Sequence, residues 1–273
     1  MLLSNGVKIP SIGFGTYKSG DDEETAKIVK YALEAGYRQI DTASFYGNEV
    51  GIGNGIKESG IKREDLFLVT KLWNDDHGYD KTIEAFNKSL ERLQVDYLDL
   101  YLIHWPNKLN SETWKAFEYL YKIGKVKTIG VCNFKIGHLE ELKKTAEIMP
   151  MVNQVEVHPQ SSKNDMLRYC EENNIQLVAW SPIMRGKLFT NELMLKLAEK
   201  YKKSIAQITL RWHIQREVIP IPKSSNEGRI KENLDIFDFE LSTEDMNAIN
   251  SLDEGYNASI TGVPENTTYL DFK

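Results

Sequence analysis

The sequence predicts an α/β protein, a (β/α)8 barrel of the TIM type forming a single domain over residues 1–273. Three observations carry this: eight short β-rich runs, amphipathic helical segments alternating with them, and no glycine-rich turn suited to an open dinucleotide-binding sheet. The runs are 12–16, 38–42, 66–70, 97–104, 127–131, 152–157, 176–180 and 218–222. Several are almost continuously apolar, as in Leu98-Asp99-Leu100-Tyr101-Leu102-Ile103, which suits parallel strands covered on both faces. Between 80 and 93, Ile83, Phe86, Leu90 and Leu93 recur at helical spacing and form one apolar stripe. Further helices are expected near 23–34, 48–58, 111–123, 138–147, 163–172, 204–215 and 242–251, with Ser204 and Gln207 spaced as a capping box. Alternation alone leaves an open doubly wound sheet as a rival. Gly13-Phe14-Gly15 is followed by Lys18, and Gly51-Ile52-Gly53 by Ile56, where that fold needs a third glycine.

Composition excludes several function classes. The chain has 273 residues, 41% hydrophobic and 27% charged, with a net charge of −6 and no long basic block, so nucleic acid and anionic lipid are poor partners. No apolar run approaches the roughly 18 residues of a membrane span, and the first residues lack a basic-then-apolar leader, so a cytoplasmic protein is expected. The two cysteines, Cys132 and Cys170, lack ligand spacing, and neither a disulfide nor a metal site is expected.

In a parallel barrel the C-terminal strand ends converge on one face. Asp41 follows the second run, Lys71 the third, His104 the fourth, Asn133 the fifth and Ser181 the seventh, while Gln154 and Glu156 lie in the sixth. Tyr46 sits five residues past Asp41, within reach of the same mouth. A tyrosine is a weak acid, with a reference pKa of about 10, and an adjacent ammonium lowers that value. Lys71 is the expected source of that charge, Asp41 its ion-pair partner, and His104 a group that orients a carbonyl oxygen or relays a proton. The set suits an acid aimed at a carbonyl that receives hydride.

The motifs around these residues are Gly13-Phe14-Gly15-Thr16-Tyr17, Ile40-Asp41-Thr42-Ala43-Ser44-Phe45-Tyr46-Gly47-Asn48-Glu49, Val69-Thr70-Lys71-Leu72-Trp73 and Leu102-Ile103-His104-Trp105-Pro106. They continue with Ile129-Gly130-Val131-Cys132-Asn133-Phe134, Asn153-Gln154-Val155-Glu156-Val157-His158-Pro159, Trp180-Ser181-Pro182 and Ile219-Pro220-Ile221-Pro222-Lys223-Ser224-Ser225. Through nearly its full length the chain thereby resembles the aldo-keto reductase family. The resemblance implies NADP(H) extended across the barrel mouth and a catalytic tetrad of Asp41, Tyr46, Lys71 and His104. It places Trp180 against the nicotinamide, Asn133 and Gln154 at its carboxamide, and Gly15, Thr16, Tyr17, Asp41, Ser181 and Pro182 among the other cofactor contacts. Lys223, Ser224, Ser225, Asn226, Arg229, Glu232 and Asn233 resemble the clamp for the adenosine 2′-phosphate and adenine. That assignment suits the chemistry of Arg and Lys toward phosphate, joined by the N-terminus of the following helix. Cys132 departs from the family's usual serine, replacing a hydroxyl with a weaker donor.

Tyr17, Tyr46, Trp73, His104 and Trp105 are the implied substrate walls. The resemblance to bacterial members with short loops points to small or dicarbonyl aldehydes such as methylglyoxal, with sugar-derived ketones as the alternative. The short segment 105–110 and brief tail after Asp253 lead to the expectation of an open pocket, and a monomer is expected. Two rival readings are a metal-dependent hydrolase, which needs clustered His and carboxylate ligands, and a non-catalytic cofactor-sensing barrel.

Overall fold

The computed structural model describes residues 1–262. Eight strands pair in parallel in sequential order: β1 (Phe14–Gly15), β2 (Gln39–Asp41), β3 (Phe67–Leu72), β4 (Leu100–Ile103), β5 (Ile129–Cys132), β6 (Val152–Glu156), β7 (Gln176–Trp180) and β8 (Ile219–Pro220). Backbone hydrogen bonds from Gly13 N to Pro220 O and from Gly15 N to Pro222 O, each 3.0 Å, join the last strand to the first. The sheet is therefore a closed barrel, which removes both edges.

Seven crossover helices link the strands up to β8: α1 (Asp22–Ala35), α2 (Glu49–Ser59), α3 (Tyr79–Leu93), α4 (Asn110–Lys122), α5 (Ile136–Lys143), α6 (Asn164–Glu172) and, after the extra helix α7 (Glu192–Tyr201), α8 (Ile205–Gln215). Helices α9 (Glu227–Leu234) and α10 (Thr243–Asn250) follow β8. The predicted runs and helices all recur, with ends shifted by a few residues. Two differences matter. Helix α7 is absent from the sequence expectation, and β3 runs on to Leu72, so Lys71 lies inside a strand instead of after it. The capping box forms as expected, with Ser204 N donating to Gln207 Oε1 at 2.9 Å and Gln207 N to Ser204 Oγ at 3.2 Å. In α3, Phe86, Leu90 and Leu93 are buried, whereas Ile83 is only partly covered.

The core has two layers. Between strands and helices lies the larger one, including Phe86, Tyr101, Trp114, Phe117 and Trp212. Inside the barrel, Phe67, Val69, Leu100, Leu102, Val152, Val178 and Ile219 pack together, and Leu3 and Ile9 from the N-terminal segment join them at the bottom. Of the glycines without a nucleotide-binding pattern, Gly51 faces α1 and Gly53 the end of α3: a Cβ on either would come within 2.6 Å of a backbone oxygen, of Asp22 and Leu93 respectively. Their role is close helix packing. No helix among the described residues is long and apolar enough to cross a membrane.

Candidate active site

Strand alternation brings the polar residues to the mouth. Side chains at every second position of a barrel strand point inward. Phe67 and Val69 belong to the interior cluster, which puts Lys71 on the same face one step higher. Leu100 and Leu102 lead to His104, Val152 to Gln154 and Glu156, and Val178 to Trp180. Parity therefore converts apolar strand interiors into a ring of polar and aromatic groups at their upper ends.

At the centre, the fully buried Lys71 ammonium donates to Asp41 Oδ1 at 2.5 Å and to Thr42 O at 2.8 Å, and it makes a long contact of 3.5 Å to Tyr46 Oη. Asp41 Oδ2 accepts from Gln154 Nε2 at 2.7 Å. Burial alone would depress the Lys71 pKa, but Asp41 and Tyr46 outweigh it and the net direction is upward, so the ammonium keeps its charge. Tyr46 sits on a 3-10 turn, Ser44–Tyr46, that the Ser44 hydroxyl ties to Lys71 O at 3.0 Å. Burial pushes the phenol up to about 12 while Lys71 pulls it down. The expected lowering by Lys71 is thus present but does not win, because desolvation of the phenolate is larger.

His104 is buried and held well below its usual pKa by burial, with Lys71 acting in the same direction. It is a neutral imidazole at physiological pH. Its Nδ1 has no hydrogen-bond partner among the described residues. The rings of Tyr46 and Trp73 meet it edge-on at 5.7 and 5.2 Å, and Tyr17 lies 4.9 Å from Tyr46. Phe45, not singled out from the sequence although it sits within the Asp41-to-Tyr46 motif, stacks on Trp73 at 3.8 Å and extends this wall.

Asn133 follows β5 in the left-handed region with φ 62°. Its amide donates to His104 O at 3.0 Å and to Cys132 Sγ at 3.2 Å, while Oδ1 accepts from Trp180 Nε1 at 2.9 Å. Cys132 is buried, so its sulfur faces Asn133 and Gln154. An amide oxygen has two lone pairs, so the amide oxygens of Asn133 and Gln154 are groups of the right chemistry for an incoming N–H donor. Thr16 Oγ1 donates to Asp41 O at 2.9 Å, and Ser181, at φ 49°, turns the chain sharply after β7.

Two cavities flank this centre. One, of about 420 Å³, is lined by Trp105, Asn133, Glu156, Lys163, Trp180 and Tyr256 among others. The other, about 760 Å³, gathers Lys223, Ser224, Ser225, Asn226, Arg229, Glu232 and Asn233, as the sequence predicts for one ligand segment. Asn226 caps α9 by accepting from Arg229 N at 3.0 Å, and Lys223 donates to Ser225 Oγ at 2.7 Å. Arg185, Gly186 and Phe189 also line this cavity. They come from a 3-10 segment whose Arg185 and Gly186 have left-handed backbones, which leaves no periodicity for a sequence reading to detect.

The described residues after Asp253 are tied to the β6 side of the mouth: Asp253 accepts from Ser162, Glu254 N donates to Gln160 O, and Ser259 Oγ and Ile260 N both donate to Glu156. Tyr256, Ser259, Thr261 and Gly262 thereby form part of the wall of the smaller cavity. The rest of the tail, 263–273, lies outside the described residues.

Comparison with known proteins agrees with this fold. A glyoxal reductase of Bacillus subtilis (strain 168) is 56% identical over 253 residues, covering 92% of each chain. Among solved structures, an aldo-keto reductase from a Medee basin deep-sea metagenome library superposes with a TM-score of 0.93 at 47% identity, covering 100% of both chains. A Bombyx mori aldo-keto reductase solved in complex with NADP superposes with a TM-score of 0.88 at 38% identity over 93% of this chain and 92% of its own. The model of the aldo/keto reductase family matches residues 11–254, and with strand-end chemistry and topology in agreement the chain belongs to that family.

Proposed function

We propose that this protein is an NADPH-dependent reductase of small aldehydes and ketones, dicarbonyls such as glyoxal and methylglyoxal among them, acting as a cytoplasmic monomer folded as one domain over 1–273. The carrying observation is the buried Asp41–Lys71 pair, reaching the half-buried Tyr46 beside a neutral His104 at the barrel mouth. The identity to a glyoxal reductase and the likeness to an NADP complex support substrate class and cofactor.

The cofactor, when bound, supplies the hydride. The residues present fit it: the larger cavity offers Lys223, Ser224 and Arg229 with the α9 N-terminus for a phosphate, and Trp180, Asn133 and Gln154 offer a ring face and amide acceptors for the nicotinamide end. Tyr46 then holds the proton that the reduced carbonyl oxygen takes up. Lys71 stabilises the phenolate left behind, and Asp41 keeps Lys71 charged and fixed. Neutral His104 orients the carbonyl oxygen, since an imidazole without charge donates a hydrogen bond without competing for the proton. Tyr17, Phe45, Trp73 and Trp105 shield the reacting carbon from bulk water.

Tyr46→Phe tests this reading. Turnover of methylglyoxal with NADPH is expected to fall roughly 100-fold or more, because general acid catalysis contributes about 10²–10⁴, while NADPH still quenches tryptophan fluorescence at unchanged concentration. Near-parental turnover in the variant would remove Tyr46 as the acid.

A further inference from the structure

The smaller cavity holds a cation that carbonyl reduction leaves unused. Lys163 is the residue before α6, with φ 52° and ψ 43°, and its ammonium sits 3.5 Å from the centroid of the Tyr256 ring. No carboxylate among the described residues lies within the 4.0 Å of an ion pair with it. The nearby acids are otherwise engaged. Glu156 accepts from Ser259 Oγ at 2.5 Å, from Ile260 N at 2.9 Å and pairs with His158 Nε2 at 3.2 Å. Asp165 accepts from Tyr256 Oη at 2.8 Å, and Asp253 from Ser162 N at 3.1 Å and Gly255 N at 3.0 Å. Burial accordingly pulls the Lys163 ammonium down to about 8, against the opposing pull of Glu156, Asp165 and Asp253. An aromatic face partly compensates a desolvated ammonium but accepts no strong hydrogen bond from it.

The cavity wall that carries Lys163 also carries Trp105, Asn133 and Trp180, which belong to the reaction centre. A short molecule whose carbonyl lies at Tyr46 and His104 can therefore extend past the two tryptophans into this space. Val155, Met166 and Phe134 give the cavity apolar sides suited to methylene groups. We propose that this cavity is a subsite for the carboxylate of an aliphatic oxo-acid substrate, with Lys163 as its counter-ion. The anion completes the charge balance that the described residues leave open at Lys163, and Lys135, on the same wall, adds to the positive potential. This inference rests on the reductase reading above and names a substrate class for it.

The test compares 4-oxobutanoate, 5-oxopentanoate and 6-oxohexanoate with their methyl esters, which keep the length and remove the charge. In the parent protein, kcat/KM for the best acid should exceed that for its ester by about tenfold or more, mainly through KM, the size expected for a partly desolvated charge pair. Lys163→Met should bring the ratio toward one and Lys163→Arg should restore it, with thermal melts confirming that both variants fold. A second measurement is independent of turnover: succinate, glutarate or adipate should protect Lys163 from trinitrobenzenesulfonate, read by peptide mass spectrometry, whereas the corresponding diamides should not. Turnover of the esters without acid preference or protection would overturn the subsite and leave the reductase reading intact. Protection without turnover of any aldehyde would support the subsite and overturn the reductase reading.

Discussion

Replacing Lys71 by methionine separates the stabilising role of the buried ion pair from the catalytic one proposed for it. Lys71 is fully buried and holds Asp41 at 2.5 Å, so its loss leaves a carboxylate whose remaining partner is the Gln154 amide at 2.7 Å. Breaking a buried pair on one side costs about 3–5 kcal/mol, which for a chain of this size is on the order of a 10 °C fall in Tm. The catalytic loss has a different source. With the ammonium 3.5 Å from Tyr46 Oη, the attraction to a phenolate is about 5 kcal/mol at an effective dielectric of about 20. Asp41, on the far side of the ammonium, cancels part of it. A net loss of about 3 kcal/mol corresponds to roughly 100-fold in rate. The double variant Asp41→Asn, Lys71→Met removes both charges and should regain most of the lost Tm by calorimetry while its kcat with methylglyoxal stays low. Recovery of turnover together with stability would refute the assignment, because it would mean that Lys71 acts only through folding.

Two further outcomes follow from the same geometry. Arg229→Ala, at an exposed position on the larger cavity, should lower the preference for NADPH over NADH by roughly tenfold, most of it in the KM for NADPH, and equal loss for both cofactors would contradict a 2′-phosphate contact. Buried His77, His138 and His213 are each held down to about 4, mainly by burial, so the unfolded chain binds more protons than the folded one below its usual histidine pKa of about 6.5. Stability should be intact above that pH and fall by up to about 1.4 kcal/mol per pH unit per histidine as pH drops toward about 4; a denaturant midpoint constant from pH 7 to 5 would show these side chains to be solvated.

How much of this was legible in the sequence depends on the range of the interaction concerned. Strand parity is local: a side chain two residues beyond a buried one points the same way, so Lys71 after Val69, His104 after Leu102 and Trp180 after Val178 could be assigned to the mouth by their order alone. Asn226 was likewise readable as part of a loop that opens a helix, since the cap and the donor it satisfies are three residues apart. Helix α7 was missed because only Met194 and Leu197 of its ten residues are fully buried, too few for a clear apolar stripe. The sequence could place Tyr46 beside Lys71, but the balance between burial and charge that pushes its phenol up instead of down is set by everything that excludes water there, from Tyr17 to His104.

By itself, then, the chain order determined the strand and helix alternation and the inward ring of polar groups, because each follows from spacings of two to four residues. Tertiary structure alone decided that Gln154 reaches Asp41 across 113 positions and that Ser259 and Ile260 occupy Glu156 across more than 100, and so that no carboxylate of the described residues pairs with Lys163. Those pairings depend on barrel closure and on the path of the tail, which are properties of the packed whole and have no signature in local spacing.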